Sequence, residues 1–360
     1  MLKYGEISNI VQMSGYPLVL LQYMHLFHVL VSNSENLPIT SHSPIAFNDL
    51  PIETFEEQFR FAKEDIPLLV TFFNLPLLIK LPNRQSVDVN ICWCILLRKL
   101  AFPVRLCDLE LQFGIHRSTI SRILSFMVNY ILDHYSYLIC LRKCHCVANS
   151  NAWKTAVFNA GSALTTCVGF IDGTTRAICR PKKHQKKLYN GHKRYHCIKF
   201  QAVTMPNGLI MDLAGPFIGI RHDCRMVLES GINNKLNYCL QETEVIYGDP
   251  AYGLGNHIVC PYEHANLLPN EIEFNRKMAG VRISVEWGFG RVVSLFKGLH
   301  YGKHWKLFLQ PVGLYYKAGA ILTNVHACLY GNEISHYFGN QMTMEEYFHI
   351  CNDCIQQMQG

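Results

Sequence analysis

The chain has 360 residues, enough for two domains with separate cores. With 49% hydrophobic and 17% charged residues, it is globular rather than disordered. The net charge of +6 is unevenly spread: residues 134–211 hold twelve Lys and Arg against a single acid, Asp172, a formal +11 that leaves −5 for the rest. A basic field of that extent points to a polyanion, nucleic acid first, ahead of a merely solvated surface.

Fifteen cysteines, odd in number and scattered, do not read as a disulfide framework and suit a reducing compartment. The stretch PLVLLQYMHLFHVLV (17–31) is apolar but broken by Gln22, His25 and His28. It is too short to span a membrane and no basic region precedes it, which leaves a buried helix or strand, or a leader. Residues 32–51 are rich in Ser, Asn and Pro and read as a linker. Helical patterns begin at Ile52, and ICWCILLRKL (91–100) is apolar on most faces, as a buried helix is.

In 104–132, Leu106, Leu109 and Phe113 share one helix face and Gly114 follows as a C-cap. Ser118 can cap a second helix, in which Ile120, Ile123, Leu124 and Met127 recur at helical spacing. The pair is a helix-turn-helix pattern or an ordinary helical hairpin. In the first case Arg117, Ser118, Thr119, Ser121 and Arg122, at the start of the second helix, face DNA with hydroxyls and guanidiniums.

After residue 150 the character changes. CVGFID (167–172) reads as a strand ending at Asp172. HCIKFQAVT (196–204) and GLIMDLAGPF (208–217) flank the hairpin signal Pro206-Asn207-Gly208. RMVLESGINNKL (225–236) suits a helix, TEVIYGD (243–249) is a strand ending at Asp249, and 274–296 is a long helix with Val285, Phe289, Val292 and Phe296 as its apolar stripe. This order describes a mixed α/β layered domain. If the two strands are neighbours, Asp172 and Asp249 sit side by side at the sheet's rim, and Glu286, one residue off the stripe, can face that rim. Singly, an Asp before Gly or Pro closes a turn and a helical Glu is a surface residue. Together, three converging carboxylates call for a hard divalent cation, which can act on a phosphodiester. Lys182, Lys183, Lys186 and Lys187 follow the first strand and suit phosphate contact or a nuclear localisation signal; Arg194 extends the same basic field.

The blocks GFIDGTTRAICRP, YNGHKRYHCIKFQAV, GPFIGIRHDC, VIYGDPAYG, FN and RISVEWGFGRV occur in that order and resemble the PIF/Harbinger transposases, a DDE endonuclease family. The resemblance runs from about Val89 to about Gly331. It implies a ribonuclease-H-like α/β fold, a mixed sheet with flanking helices, preceded by an all-α helix-turn-helix region. It also implies that Asp172, Asp249 and Glu286 are the metal-binding catalytic triad; the last two are 37 positions apart, which suits the family. Arg282, Asn275 and Asp223 match further family positions, and Cys224 stands where the family commonly has Ser. By the same resemblance the activity is Mg²⁺- or Mn²⁺-dependent nicking of DNA at transposon ends, followed by joining through the freed 3′-hydroxyl. It further implies a nuclear protein that assembles with itself and with a Myb-like partner.

The expected organisation is a leader and linker over 1–51, a helical DNA-binding region over 52–150, the nuclease domain over 151–335 and a tail over 336–360. Other readings compete. FIDGTT and YGDPAYG have a faint likeness to haloacid-dehalogenase phosphatases, but Phe170 stands where their nucleophilic Asp is needed. A domesticated DNA-binding protein without nuclease activity is the main alternative, and the presence of all three acids leans against it. Cys140, Cys144 and Cys146, and His349, Cys351 and Cys354, form two groups without the paired spacing of a familiar zinc finger.

Overall fold

The computed structural model describes residues 51–349 except Asn83 and Leu254, so the stretch 17–31, the linker up to residue 50, and Cys351 and Cys354 lie outside the described residues. Two compact units are present. One runs to Tyr135 and is completed by Leu295–Gly319; the other comprises Ser136–Ser294 and continues from Ala320.

The first unit contains α1 (Ile52–Phe59), α2 (Ile66–Phe72), strands β1 (Leu78–Lys80) and β2 (Ser86–Asp88), α3 (Val89–Ala101), α4 (Leu106–Phe113) and α5 (Arg117–Tyr135). Asp88 starts α3 by accepting the Asn90 and Ile91 N–H groups, which otherwise lack partners at a helix start. Trp93, Ile95, Leu96, Leu97 and Leu100 of α3 are fully buried, so this helix forms the unit's core. The region is not all-α as expected: β1 and β2 pair antiparallel ahead of α3. Gly114 ends α4 at φ +65°, a conformation that L side chains rarely adopt, and α5 follows three residues later. The expected cap at Ser118 is replaced. His116 precedes the helix, and its ring Nδ1 accepts the Ser118 N–H at 3.3 Å and lies 2.7 Å from the Ser118 hydroxyl.

The second unit opens with α6 (Lys143–Asn159), which packs on β3 (Cys167–Ala177). Then come α7 (Gln185–Leu188), β4 (Tyr189–Asn190), β5 (Tyr195–Thr204), β6 (Ile210–Ile218), α8 (Asp223–Ser230), α9 (Ile232–Cys239), β7 (Val245–Tyr247), β8 (Ile258–Val259) and α10 (Pro269–Leu295). The helix expected over 225–236 is thus two helices, divided at Gly231. After α11 (Val312–Tyr330) come α12 (Glu333–Phe338) and α13 (Met344–Phe348), whose Phe338, Met344 and Tyr347 are buried. Spatially the sheet runs β6-β5-β3-β7-β8, with β4 on the far edge of β5. β6, β5 and β3 are antiparallel neighbours, and β7 and β8 lie parallel to β3. A mixed sheet of this order flanked by helices is consistent with a ribonuclease-H-like fold.

Asn324, 1% exposed on α11, ties three elements together. Its Oδ1 accepts the Ile210 N–H and its Nδ2 donates to Ile210 O and to the Tyr347 hydroxyl, all at 2.9 Å. Tyr347 in turn donates to Leu138 O. Asn324→Ala strands at least two buried polar groups, at about 1–3 kcal/mol each. Urea unfolding followed by circular dichroism is expected to show a loss of about 2–4 kcal/mol.

Candidate active site

The rim of the sheet is set by where strand pairing stops. β3 pairs with β5 from Phe170 to Ala177, but with β7 only as far as Phe170↔Tyr247. Asp172 and Asp249 each stand two residues past that last pair. The strand therefore does not end at Asp172, as the sequence reading has it: β5 carries β3 on to Ala177, and what ends is the cover from β7. Asp249 does close a turn, since its Oδ1 accepts the Ala251 N–H at 2.9 Å as cap of the turn Pro250–Tyr252. Its Oδ2 is left to the Arg282 Nη1, 3.4 Å away.

Burial, reinforced by the Asp249 and Asp223 charges, pushes the Asp172 carboxyl up to about 6 against the pull of the Gly173 N–H and Arg282. Arg282, on α10 with 23% of its side chain exposed, also pairs with Glu286 one turn on, at 3.9 Å. Glu286 is 62% exposed and joins the other acids through that guanidinium. Its neighbour one turn further, Gly290, leaves open space beside it. Beneath β3, a Cβ on Gly173 would lie 3.2 Å from Met226 Cε and 3.3 Å from both Asp223 Oδ1 and the Tyr252 hydroxyl, so a side chain there would press on all three. Lys199, buried on β5, donates to Asp223 Oδ1 at 2.7 Å. Burial drives the Tyr252 hydroxyl far above its ordinary range, and Asp172, Asp223 and Asp249 add to this.

Sequence reasoning missed Lys199 and Tyr252. The signal for the first was present: Lys199 and Gln201 share one face of an otherwise apolar strand. Tyr252 carried no such signal, because its burial comes from the turn that Asp249 caps.

Among the described residues no three His, Cys, Asp or Glu side chains are close enough to hold a metal between them. The chemistry nevertheless fits a hard cation. Asp172 is an acid held up by burial and like charge, and one oxygen of Asp249 is spoken for only by a guanidinium, which stands in for positive charge. Mg²⁺ characteristically takes one or two carboxylates and keeps its remaining positions for water and substrate phosphate.

The basic segment after β3 is open. Lys182, Lys183, Lys186, Lys187 and Arg194 are all exposed. In the first unit Arg117 is exposed and Ser118 and Ser121 are half-buried. Thr119 and Arg122 are buried, with the Thr119 hydroxyl bonded to Gln85 Oε1 at 3.0 Å. Those two side chains do not reach outward from the start of α5 as the sequence reading expects. Of the first cysteine group, Cys140 is exposed and Cys146 buried.

Residues 171–324 match the family model of the DDE superfamily endonucleases. No curated protein and no solved structure matches the chain. The matched range holds Asp172, Asp249 and Glu286, and it supports a nuclease related to the DDE-type transposases. DDE superfamily nucleases generally use divalent metals and act on DNA. Helices α4 and α5 lie outside the match. Among the described residues no helix is long and apolar enough to cross a membrane.

The raised Asp172 carboxyl carries a stability cost that depends on pH. An unfolded Asp titrates near 3.9, so between about 4 and 6 the folded chain holds the extra proton, and stability falls as pH rises through that window. Asp172→Asn removes the penalty. In EDTA the variant is expected to melt above wild type at pH 7.5, with the gain gone at pH 4. Equal melting at pH 7.5 would show the carboxyl to be unstrained.

Proposed function

We propose that this chain is a DNA transposase of the PIF/Harbinger type, which cleaves phosphodiester bonds at transposon ends and joins the freed 3′-hydroxyl to target DNA. The register-matched pair Asp172 and Asp249, inside a range that matches the DDE endonucleases, carries the reading. In this reading Asp172, Asp249 and Glu286 hold Mg²⁺ or Mn²⁺. Two such ions, when bound, supply charge stabilisation at the attacking and leaving oxygens. Arg282 keeps Asp249 and Glu286 from repelling each other before the ions arrive, and its distances of 3.4 and 3.9 Å leave both carboxylates room to turn away from it. Water and then a DNA hydroxyl serve as nucleophiles, so no Ser or Cys is required for the chemistry.

Lys182, Lys183, Lys186, Lys187 and Arg194 take phosphates of a DNA duplex; within the first unit, Arg117, Ser118 and Ser121 are DNA contacts in their own right. The reading also includes work in the nucleus, self-assembly to pair two DNA ends, and a Myb-like partner.

Wild type and Asp249→Ala are to be compared on DNA carrying the element's terminal repeats with Mg²⁺ or Mn²⁺. The variant is expected to lose cleavage by at least about 10²-fold while still binding DNA. Equal cleavage by both removes the mechanism, and intact binding with cleavage by neither favours a domesticated DNA-binding protein. Replacing Lys182, Lys183, Lys186 and Lys187 by Gln is expected to weaken binding alike on specific and random DNA. The slope of log affinity against log salt should flatten by roughly 0.9 for each phosphate that the variant no longer neutralises.

A further inference from the structure

A layer of polar side chains lies beneath β3, behind the acids already assigned. Gly173 and Gln201 are cross-strand partners, as are Thr175 and Lys199, so Gln201 and Lys199 point to the same side of the sheet. Lys199 Nζ is fixed by Arg221 O and Asp223 Oδ1, both at 2.7 Å. Asp223 opens α8, and no hydrogen bond within the described chain reaches its second oxygen. Tyr252 is 6% exposed, and its hydroxyl, on the same side of Gly173 as Asp223, has no hydrogen-bond partner. A buried hydroxyl without a partner is uncommon, and it needs a ligand or water to satisfy it.

The charges make the same point. Lys199 pairs with Asp223, and Arg282 with Asp249 and Glu286, so two cations are shared among three acids and negative charge remains before Asp172 is counted.

We propose that Asp223 and Tyr252 form the outer layer of the cation site, bonding to waters of a hydrated divalent ion whose inner ligands include Asp172 and Asp249, with Lys199 as the residue that positions Asp223. The inference rests on the nuclease reading and adds to its triad two groups with a defined task. Outer partners of this kind orient the ion's shell, and their loss typically weakens metal affinity 10–100-fold.

The test is calorimetric titration of Mn²⁺ into the full-length, metal-stripped protein, with and without DNA and without reference to cleavage. Tyr252→Phe removes one oxygen and keeps the ring. It is expected to lower Mn²⁺ affinity about tenfold, with its metal-free melting temperature unchanged or raised. Asp223→Asn is expected to do the same, and Lys199→Arg to stay closer to wild type than Lys199→Met. If Asp223→Asn does not fold, Tyr252→Phe decides alone. Wild-type affinity in Tyr252→Phe and Asp223→Asn, with loss in Asp249→Asn, overturns this inference and leaves the nuclease reading standing. Wild-type protein that takes up no Mn²⁺ even with DNA removes the metal-dependent reading and this inference with it. A shift in melting temperature without a shift in affinity assigns the layer to packing and overturns the proposal.

Discussion

The site depends on one feature of strand pairing: β7 abandons β3 at Phe170↔Tyr247, while β5 holds on to it for seven residues more. A parallel pair that stops short leaves the last residues of both strands with one side uncovered. The chain fills that notch with an acid from each strand, placed at the same distance past the final pair. Parallel pairing is what makes the two equivalent, because both strands then reach the rim in the same direction. In an antiparallel pair the two acids would stand at opposite ends. The loop after β7 can turn sharply there because Asp249 caps it, so the acid shapes the rim as well as occupying it. The turn reading and the functional reading of Asp249 use different oxygens of one side chain.

The basic field and the acid cluster are separate devices. The groups that move Asp172 are burial, the Gly173 N–H, Arg282, Asp249 and Asp223; none of the lysines after β3 is among them. The formal +11 around a lone acid is therefore not a local counter-charge. The lysines lie exposed over 182–187, on a segment that leaves the sheet before β5 returns to it. A field so placed is open to solvent, and under the proposed function a DNA backbone has the charge and the length to meet it.

Much of this was legible in the sequence because it is periodic or punctuated. The hairpin at Pro206-Asn207-Gly208, the buried helix α3 and the long helix α10 follow from patterns of two or 3.6 residues and from turn residues. What was not legible depends on which strand lies beside which. The continuation of β3 past Asp172 is invisible without β5. β8 is two residues long, too short to show alternation. Thr119 and Arg122 have the chemistry of DNA contacts, but the β1–β2 hairpin, also unread, supplies Gln85 to take the Thr119 hydroxyl. Asp223 was visible as a matching acid. Its meaning awaited Lys199, 24 residues away in sequence and 2.7 Å away in space.

Arg282 shows how such a cluster of acids stays folded. Three carboxylates at the rim and a fourth, Asp223, beneath β3 repel one another, and a fold that kept them apart would spoil the site. A fold that cancelled them fully would leave nothing for a cation to gain. The guanidinium takes a middle course: it faces Asp249 and Glu286 at 3.4 and 3.9 Å, longer than the 2.7–2.9 Å of a strong charge-assisted bond, and it acts on Asp172 through its charge without an ion-pair contact. Lys199 does the opposite for Asp223, at 2.7 Å and buried, where a fixed position is worth more than freedom to exchange. Under the proposed function the two arrangements divide the work, the loose one where a carboxylate would turn to an ion and the tight one where it would stay still.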